Sequence, residues 1–317
     1  MSHYAHNLAF NIYCIDIDYI RPRLACSYLI EHRGRAAFID CGTSHSVGRL
    51  LSTLDELGLN VDDVDFVIPT HIHLDHAGGA GKLIQALPNA TLVVHPRGAP
   101  HMIDPQRLVD SAKHVYGNEQ FDKLYGEIIP IESSRVQTAE DQELISLNGR
   151  PLFFADTPGH ARHHFCIYDE LSQGWFTGDT FGLSYPDINI ASGQYLLPTT
   201  TPVQFEPDAW RLSLNKLLSK KPQRMYLTHF GVVENVNELA EKLIRDIQQY
   251  SEIAISTPLS NTRVEQITKK LTDYTLNDIV SLGSKQNTDA LVELLKTDID
   301  LNAQGLDVWL KRREKHQ

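Results

Sequence analysis

The alternation of apolar and polar positions predicts short strands at the start of the chain. Residues 8–17 and 25–31 carry β-branched and aromatic side chains, and residues 35–40 form a third run after the turn residue Gly34. Residues 46–57 switch to helical spacing, with Val47, Leu50, Leu51 and Leu54 on one face and a stop near Gly58. An apolar run over 64–68 reads as a buried strand; a helix over 77–87, opened by Gly78-Gly79, and a strand over 91–95 come next. Residues 98–127 read as irregular to helical. Strands are expected over 128–131, 143–147 and 151–155, the last two joined by the hairpin dipeptide Asn148-Gly149. Further strands over 165–168, from Gly174, and over 224–228 complete an alternation that predicts an α/β layer arrangement.

Beyond about residue 236 the pattern turns helical. Leu239, Leu243, Ile244 and Ile247 form a stripe, and residues 264–271, 289–295 and 306–313 predict more helices. The expected organisation is one domain over 1–235 and a C-terminal helical region over 236–317. That region could cover a substrate pocket or form a homodimer face.

Composition removes several classes. With 317 residues, 42% apolar and 22% charged, the chain can bury an ordinary globular core. The formal charge of −11, with no basic run beyond 311–315, weighs against a nucleic-acid partner. No apolar stretch approaches the ~18 residues of a membrane helix, and residues 1–6 lack the basic-then-apolar character of a signal peptide. Four scattered cysteines without CxxC spacing read as reduced thiols of a cytoplasmic protein.

The chemistry concentrates in His71-Ile-His73-Leu-Asp75-His76, which succeeds the 64–68 strand. His71 and His73, two apart in an extended segment, point the same way, whereas Asp75 and His76 at a helix start face a neighbouring point. Two adjacent sets of nitrogen and oxygen donors suit a pair of divalent cations. Three later strand ends each present one more donor: His160 after the Pro158-Gly159 turn, Asp179 between Gly178 and Gly182, and His229. Asp40, closing the third strand, is either a turn carboxylate or a group that orients a metal-bound histidine from behind. Residues 183–205 are too long and too rich in Pro and Thr for a simple connection. Within and beside them Phe181, Tyr185, Tyr195 and Phe205 could line an apolar substrate pocket or pack into the core.

Taken in order, Ile39-Asp40-Cys-Gly, His71 to His76, Thr-Pro-Gly-His160, Thr-Gly-Asp179 and Thr-His229 resemble the metallo-β-lactamase superfamily from about Asn7 to Gly231. The resemblance implies an α/β, αββα four-layer sandwich with the metal site at one edge, here extended by a C-terminal helical region. It implies a first metal held by His71, His73 and His160, a second held by Asp75, His76 and His229, and Asp179 bridging them. A β-lactamase of the main class carries Cys where Asp179 stands, and Leu74 departs from the flavodiiron H-x-E-x-D pattern. The bridging Asp resembles the glyoxalase II, lactonase and tRNA-processing branches. The lactonase tyrosine lies close after the bridging Asp, where this chain has Phe181 and its first tyrosine is Tyr185, and the glutathione-binding basic residues have no clear counterpart near the C-terminus.

The resemblance and the donor chemistry together imply a binuclear metallohydrolase, with zinc expected and iron or manganese compatible with the donors. Two cations sharing a water lower its pKa and polarise a substrate carbonyl, while Asp75 orients the nucleophile and accepts its proton. The expected reaction is hydrolysis of an ester, thioester or lactone-type bond in a small molecule. Other readings of the same pattern are a mononuclear iron enzyme of the persulfide dioxygenase type using His71, His160 and Asp179, a metal-dependent nuclease, and a non-catalytic metal-binding regulator.

Overall fold

The computed structural model describes residues 4–191 and 193–315, except for the side chains of Val115 and Tyr116. The chain divides into two compact units. The first comprises Met1–Asp156, His163–Gly178 and Pro222–Glu234, and the second Thr157–Arg162, Asp179–Lys221 and Asn235–Gln317.

Two mixed sheets build the first unit. One runs in order through β1 (Ala5–Asn7), β2 (Ile12–Asp16), β3 (Cys26–His32), β4 (Arg35–Ile39), β5 (Val64–Ile68), β6 (Thr91–Val94) and β7 (Val136–Thr138). Its first four strands pair antiparallel, and β4 to β7 pair parallel. The other is ordered β13 (Gly231–Val233), β12 (Arg224–Leu227), β11 (Gly174–Gly178), β10 (Phe165–Asp169), β9 (Arg150–Asp156), β8 (Leu144–Leu147), with only β11 and β12 parallel. Alternate residues of β3 and β4 divide between two cores. Tyr28, Ile30, Ala37 and Ile39 meet Phe154, Ile167, Phe176 and Tyr226 between the sheets. Leu29, Ala36 and Phe38 face outward onto α1 (Val47–Glu56) and α3 (Ala80–Ala86) through Leu50, Leu54, Leu83 and Ile84. With both faces covered, these strands read as nearly continuous apolar runs.

Three short helices, α4 (Ala99–Ile103), α5 (Gln106–Tyr116) and α6 (Asn118–Tyr125), fill the 98–127 stretch. The second unit is helical: α7 (Pro207–Ser219), α8 (Val236–Ile255), α9 (Arg263–Ser281) and α10 (Thr288–Glu314). Leu243, Ile247 and Tyr250 of α8, Ile267 and Leu271 of α9, and Leu295, Ile299 and Leu306 of α10 are buried in it.

The local expectations need four corrections. Residues 8–17 are not one strand, because Ala9, Phe10 and Asn11 adopt left-handed φ and turn the chain between β1 and β2. Residues 128–131 pair with no strand; the Ile129 carbonyl lies against Gly81 in α3, and the edge position goes to β7. The 77–87 helix is interrupted at Gly78-Gly79, leaving α2 (Leu74–Ala77) as a separate turn. Residues 289–295 and 306–313 are ends of one helix, α10, whose polar middle still buries Ile299, Asn302 and Ala303.

Candidate metal centre

Chain direction explains the position of the donors. β4 and β5 are parallel, so Asp40 and the 70–75 loop leave the same edge. β9, β11 and β12 share one direction, since β9 and β11 each pair antiparallel with β10 and β11 pairs parallel with β12. Their carboxyl ends lead to His160, Asp179 and His229. The two sheets are tied at this edge by Cys26 N donating to Thr228 O (2.8 Å) and Tyr28 Oη donating to Leu227 O (2.6 Å).

Asp40 lies beneath the donors, fully buried, with φ +53°. Its Oδ1 accepts from Thr70 N (2.7 Å) and Thr70 Oγ1 (3.0 Å), and its Oδ2 from His76 Nδ1 (2.8 Å) and Thr228 Oγ1 (2.6 Å). Thr70 and Thr228 each precede a donor histidine, and the repeated Thr-His dipeptide at two strand ends is the sequence signal for this support. Gly178 makes it fit: at φ +47° a Cβ there would lie 2.3 Å from Thr70 Oγ1.

These bonds fix ring tautomers. A carboxylate accepts, so His76 Nδ1 carries the proton and Nε2 presents its lone pair. His229 Nδ1 donates to Leu24 O (2.9 Å), which likewise leaves Nε2 with a lone pair. The two Nε2 atoms face each other at 3.3 Å, with Asp75 Oδ2 3.3 Å from His229 Nε2 and 3.7 Å from His76 Nε2. Two imidazole nitrogens and a carboxylate converging on one point repel one another unless a proton or a metal cation sits among them. The donor set therefore fits a divalent metal.

The same logic reaches His71. Thr70 directs its hydroxyl proton to Asp40 and so accepts from His71 Nδ1 (3.2 Å), which turns His71 Nε2 towards His73 Nδ1 at 2.9 Å. In the second unit His160 Nδ1 donates to Thr199 O (2.9 Å), and its Nε2 lies 3.3 Å from Asp179 Oδ2. Trp210 of α7 supports both residues: its backbone packs against Gly159, and its Nε1 donates to Thr180 O at 2.6 Å. Among the described residues Asp75, His76 and His229, all in the first unit, form a donor group that could hold a metal ion, with donor atoms within 4.8 Å of one another.

His163 and His164, left out of the expected donor set, stand beside the 70–75 loop. His164 is buried with its ring stacked on His71 (centroids 4.8 Å apart), and Ile72 N points at His163 Nδ1. Phe181, Tyr185, Tyr195 and Phe205 are all buried in the second unit. Tyr185 donates to Asp298 (3.0 Å), Tyr195 lies 3.9 Å beneath Lys242 Nζ, and Phe205 packs on Trp210 and Trp309. The four cysteines are buried thiols, and among the described residues no helix is long and apolar enough to cross a membrane.

Residues 20–229 match the family described as the metallo-beta-lactamase superfamily, and the chain belongs to it. The fold agrees: two mixed sheets with flanking helices and a C-terminal helical region. Among its relatives, the metallo-beta-lactamase fold-containing protein ST1585 of Sulfurisphaera tokodaii is 26% identical over 79% of this chain and 88% of its own. Its crystal structure superposes with a TM-score of 0.65, covering 93% of this chain and 98% of that one, at 23% identity. The metallo-beta-lactamase family protein TTHA1429 of Thermus thermophilus shares the fold with a TM-score of 0.68 over 97% of this chain and 95% of its own, at 20% identity. An atrochrysone carboxyl ACP thioesterase of Aspergillus fumigatus is 27% identical over 65% of this chain, and the match spans 50% of that enzyme.

Proposed function

We propose that the protein is a binuclear metal-dependent hydrolase that cleaves an acyl thioester or a related ester or lactone of a small molecule. The observation that carries this reading is the convergence of His76 Nε2, His229 Nε2 and Asp75 Oδ2, with both rings proton-locked on their far sides. In the proposal Asp75, His76 and His229 hold one cation, His71, His73 and His160 the other, and Asp179 serves both. The mixed imidazole–carboxylate set suits zinc, with manganese and iron as competitors. The thioester is put first because a relative carries that activity in its name.

When bound, divalent cations lower the pKa of a water towards neutrality and polarise a carbonyl. The chain supplies the rest. Asp75 is partly exposed, at 24%, so its carboxylate can meet both donors and solvent. It accepts the proton as the water oxygen attacks the carbonyl carbon, then returns it to the departing sulfur or oxygen as the acyl bond breaks. Asp40, through Thr70, Thr228 and His76, keeps the imidazoles in the form that can ligate.

The test is metal content of protein purified without added metal or chelator, and then acyl-thioester hydrolysis read as thiol release. About two zinc or manganese ions per chain and thiol release that is lost on chelation are expected. Asp179→Ala should lose both metal and turnover. A chain that takes up neither zinc nor manganese, or an Asp179→Ala variant that keeps metal and rate, would sink the proposal.

A further inference from the structure

We infer that Asn302, in the middle of α10, is a positioning residue for His160. Its functional meaning rests on the proposed reading of His160 as a metal ligand; its geometry does not.

Asn302 is 1% exposed, and a buried amide inside a helix requires partners. It finds them on both sides of Thr199. Asn302 Oδ1 accepts from Thr200 N (2.5 Å) and Thr200 Oγ1 (3.1 Å), while Nδ2 donates to Pro198 O (2.9 Å). The Thr200 hydroxyl also lies 3.0 Å from the backbone carbonyl of Asn302. One side chain thus pins the residue before Thr199 and the residue after it. The carbonyl between them receives His160 Nδ1 at 2.9 Å. Gly305, three positions along α10, lets the helix approach this strip, because a Cβ there would stand 1.7 Å from Thr200 O. Two features on neighbouring turns therefore hold this strip, Asn302 at Pro198 and Thr200 and Gly305 at Thr200 and Thr201.

The consequence is tautomeric. If the Thr199 carbonyl turns away, a buried Nδ1–H loses its acceptor. The ring then gains by moving its proton to Nε2, where it can donate to Asp179 Oδ2, now 3.3 Å away. That is the nitrogen a metal would need. Only an amide satisfies both sides: a carboxylate would set an oxygen against Pro198 O, and an apolar side chain would satisfy neither.

The experiment uses the full chain labelled with nitrogen-15 histidine. Long-range proton–nitrogen correlation in chelator reads the His160 tautomer, competition with a chromophoric chelator reads zinc affinity, and thermal melts check folding. Asn302→Ala is expected to shift His160 away from the Nδ1–H form and to weaken zinc binding about 10- to 100-fold. Asn302→Asp, nearly isosteric, and Gly305→Ala carry the same expectation and stand in if Asn302→Ala does not fold. Asp307→Asn is the structural control, since it removes the charge that Asp307 of α10 presents to Arg263 of α9 (2.6 Å) without touching the strip. It should lower the melting temperature and leave tautomer and affinity unchanged. Folded Asn302 and Gly305 variants with the wild-type tautomer and affinity would overturn the inference, as would an Asp307→Asn variant with the same losses. If the wild-type chain binds no zinc, the proposed function falls, and the tautomer shift alone still decides the role of Asn302.

Discussion

Asp40→Asn tests the support of the donors with the smallest change in volume. The amide oxygen can replace Oδ1 and keep the bonds from Thr70 N and Oγ1 at 2.7 and 3.0 Å. The NH2 group must then occupy the place of Oδ2, facing His76 Nδ1 at 2.8 Å and Thr228 Oγ1 at 2.6 Å. Thr228 can rotate its hydroxyl and accept. His76 cannot keep its Nδ1 proton against a donor in a fully buried site, so the proton moves to Nε2, the nitrogen aimed at His229 and Asp75. Restoring the ligating tautomer leaves a buried donor unsatisfied, at a cost of about 1–3 kcal/mol. At roughly 1.4 kcal/mol per factor of ten, zinc affinity should fall about 5- to 150-fold. Loss of charge-assisted bonds should also lower folding stability by about 1.5–3 kcal/mol. Zinc competition and histidine nitrogen spectra check the first effect, and urea unfolding the second. A folded Asp40→Asn protein with wild-type zinc affinity and a His76 Nδ1–H signal would refute the tautomer lock.

Gly178→Ala should cost about 1–3 kcal/mol and weaken zinc binding, because the added carbon would meet Thr70 Oγ1 at 2.3 Å and His164 Nε2 at 2.7 Å; denaturation and zinc titration indistinguishable from wild type would contradict this. Arg150→Met should remove about 3–5 kcal/mol of stability with little effect on zinc, since Arg150 binds the buried Asp169 through Nε (2.8 Å) and a terminal nitrogen (2.7 Å) far from the donors. The pH dependence has a definite sign. Burial pushes the Asp169 carboxyl up, but the Arg150 bonds and charge outweigh it and hold the group below its ordinary 3.8. The pair's contribution is therefore complete above pH 3.8 and is lost as pH falls below 3.8 through the folded-state value. In Arg150→Met only the Ser172 hydrogen bonds are left to oppose the burial effect, so the stability gap to wild type should narrow on acidification; urea midpoints at a series of pH values would show it, and a constant gap would disprove the assignment.

The candidate donors are legible in the sequence because ligation would demand particular atoms at strand ends. His71, His73, Asp75 and His76 stand within six residues, and each later donor comes after an apolar run or a glycine turn. Strand periodicity held where both sheet faces are covered, as in β5, and where a turn has a strong signature, as at Asn148-Gly149. It failed at residues 8–11, where the chain turns at Ala9, Phe10 and Asn11 without a glycine, and at residues 128–131, where packing against α3 displaced pairing.

Residue type and order alone determined the α/β alternation and the helical C-terminal region and set the candidate donors, because these depend on side-chain chemistry and on local period. Tertiary structure decided which donor nitrogens carry protons. That choice depends on Asp40 and Leu24 for His76 and His229, and on a loop carbonyl for His160. The partners lie 36, 205 and 39 positions away along the chain, and no local pattern encodes contacts at that distance.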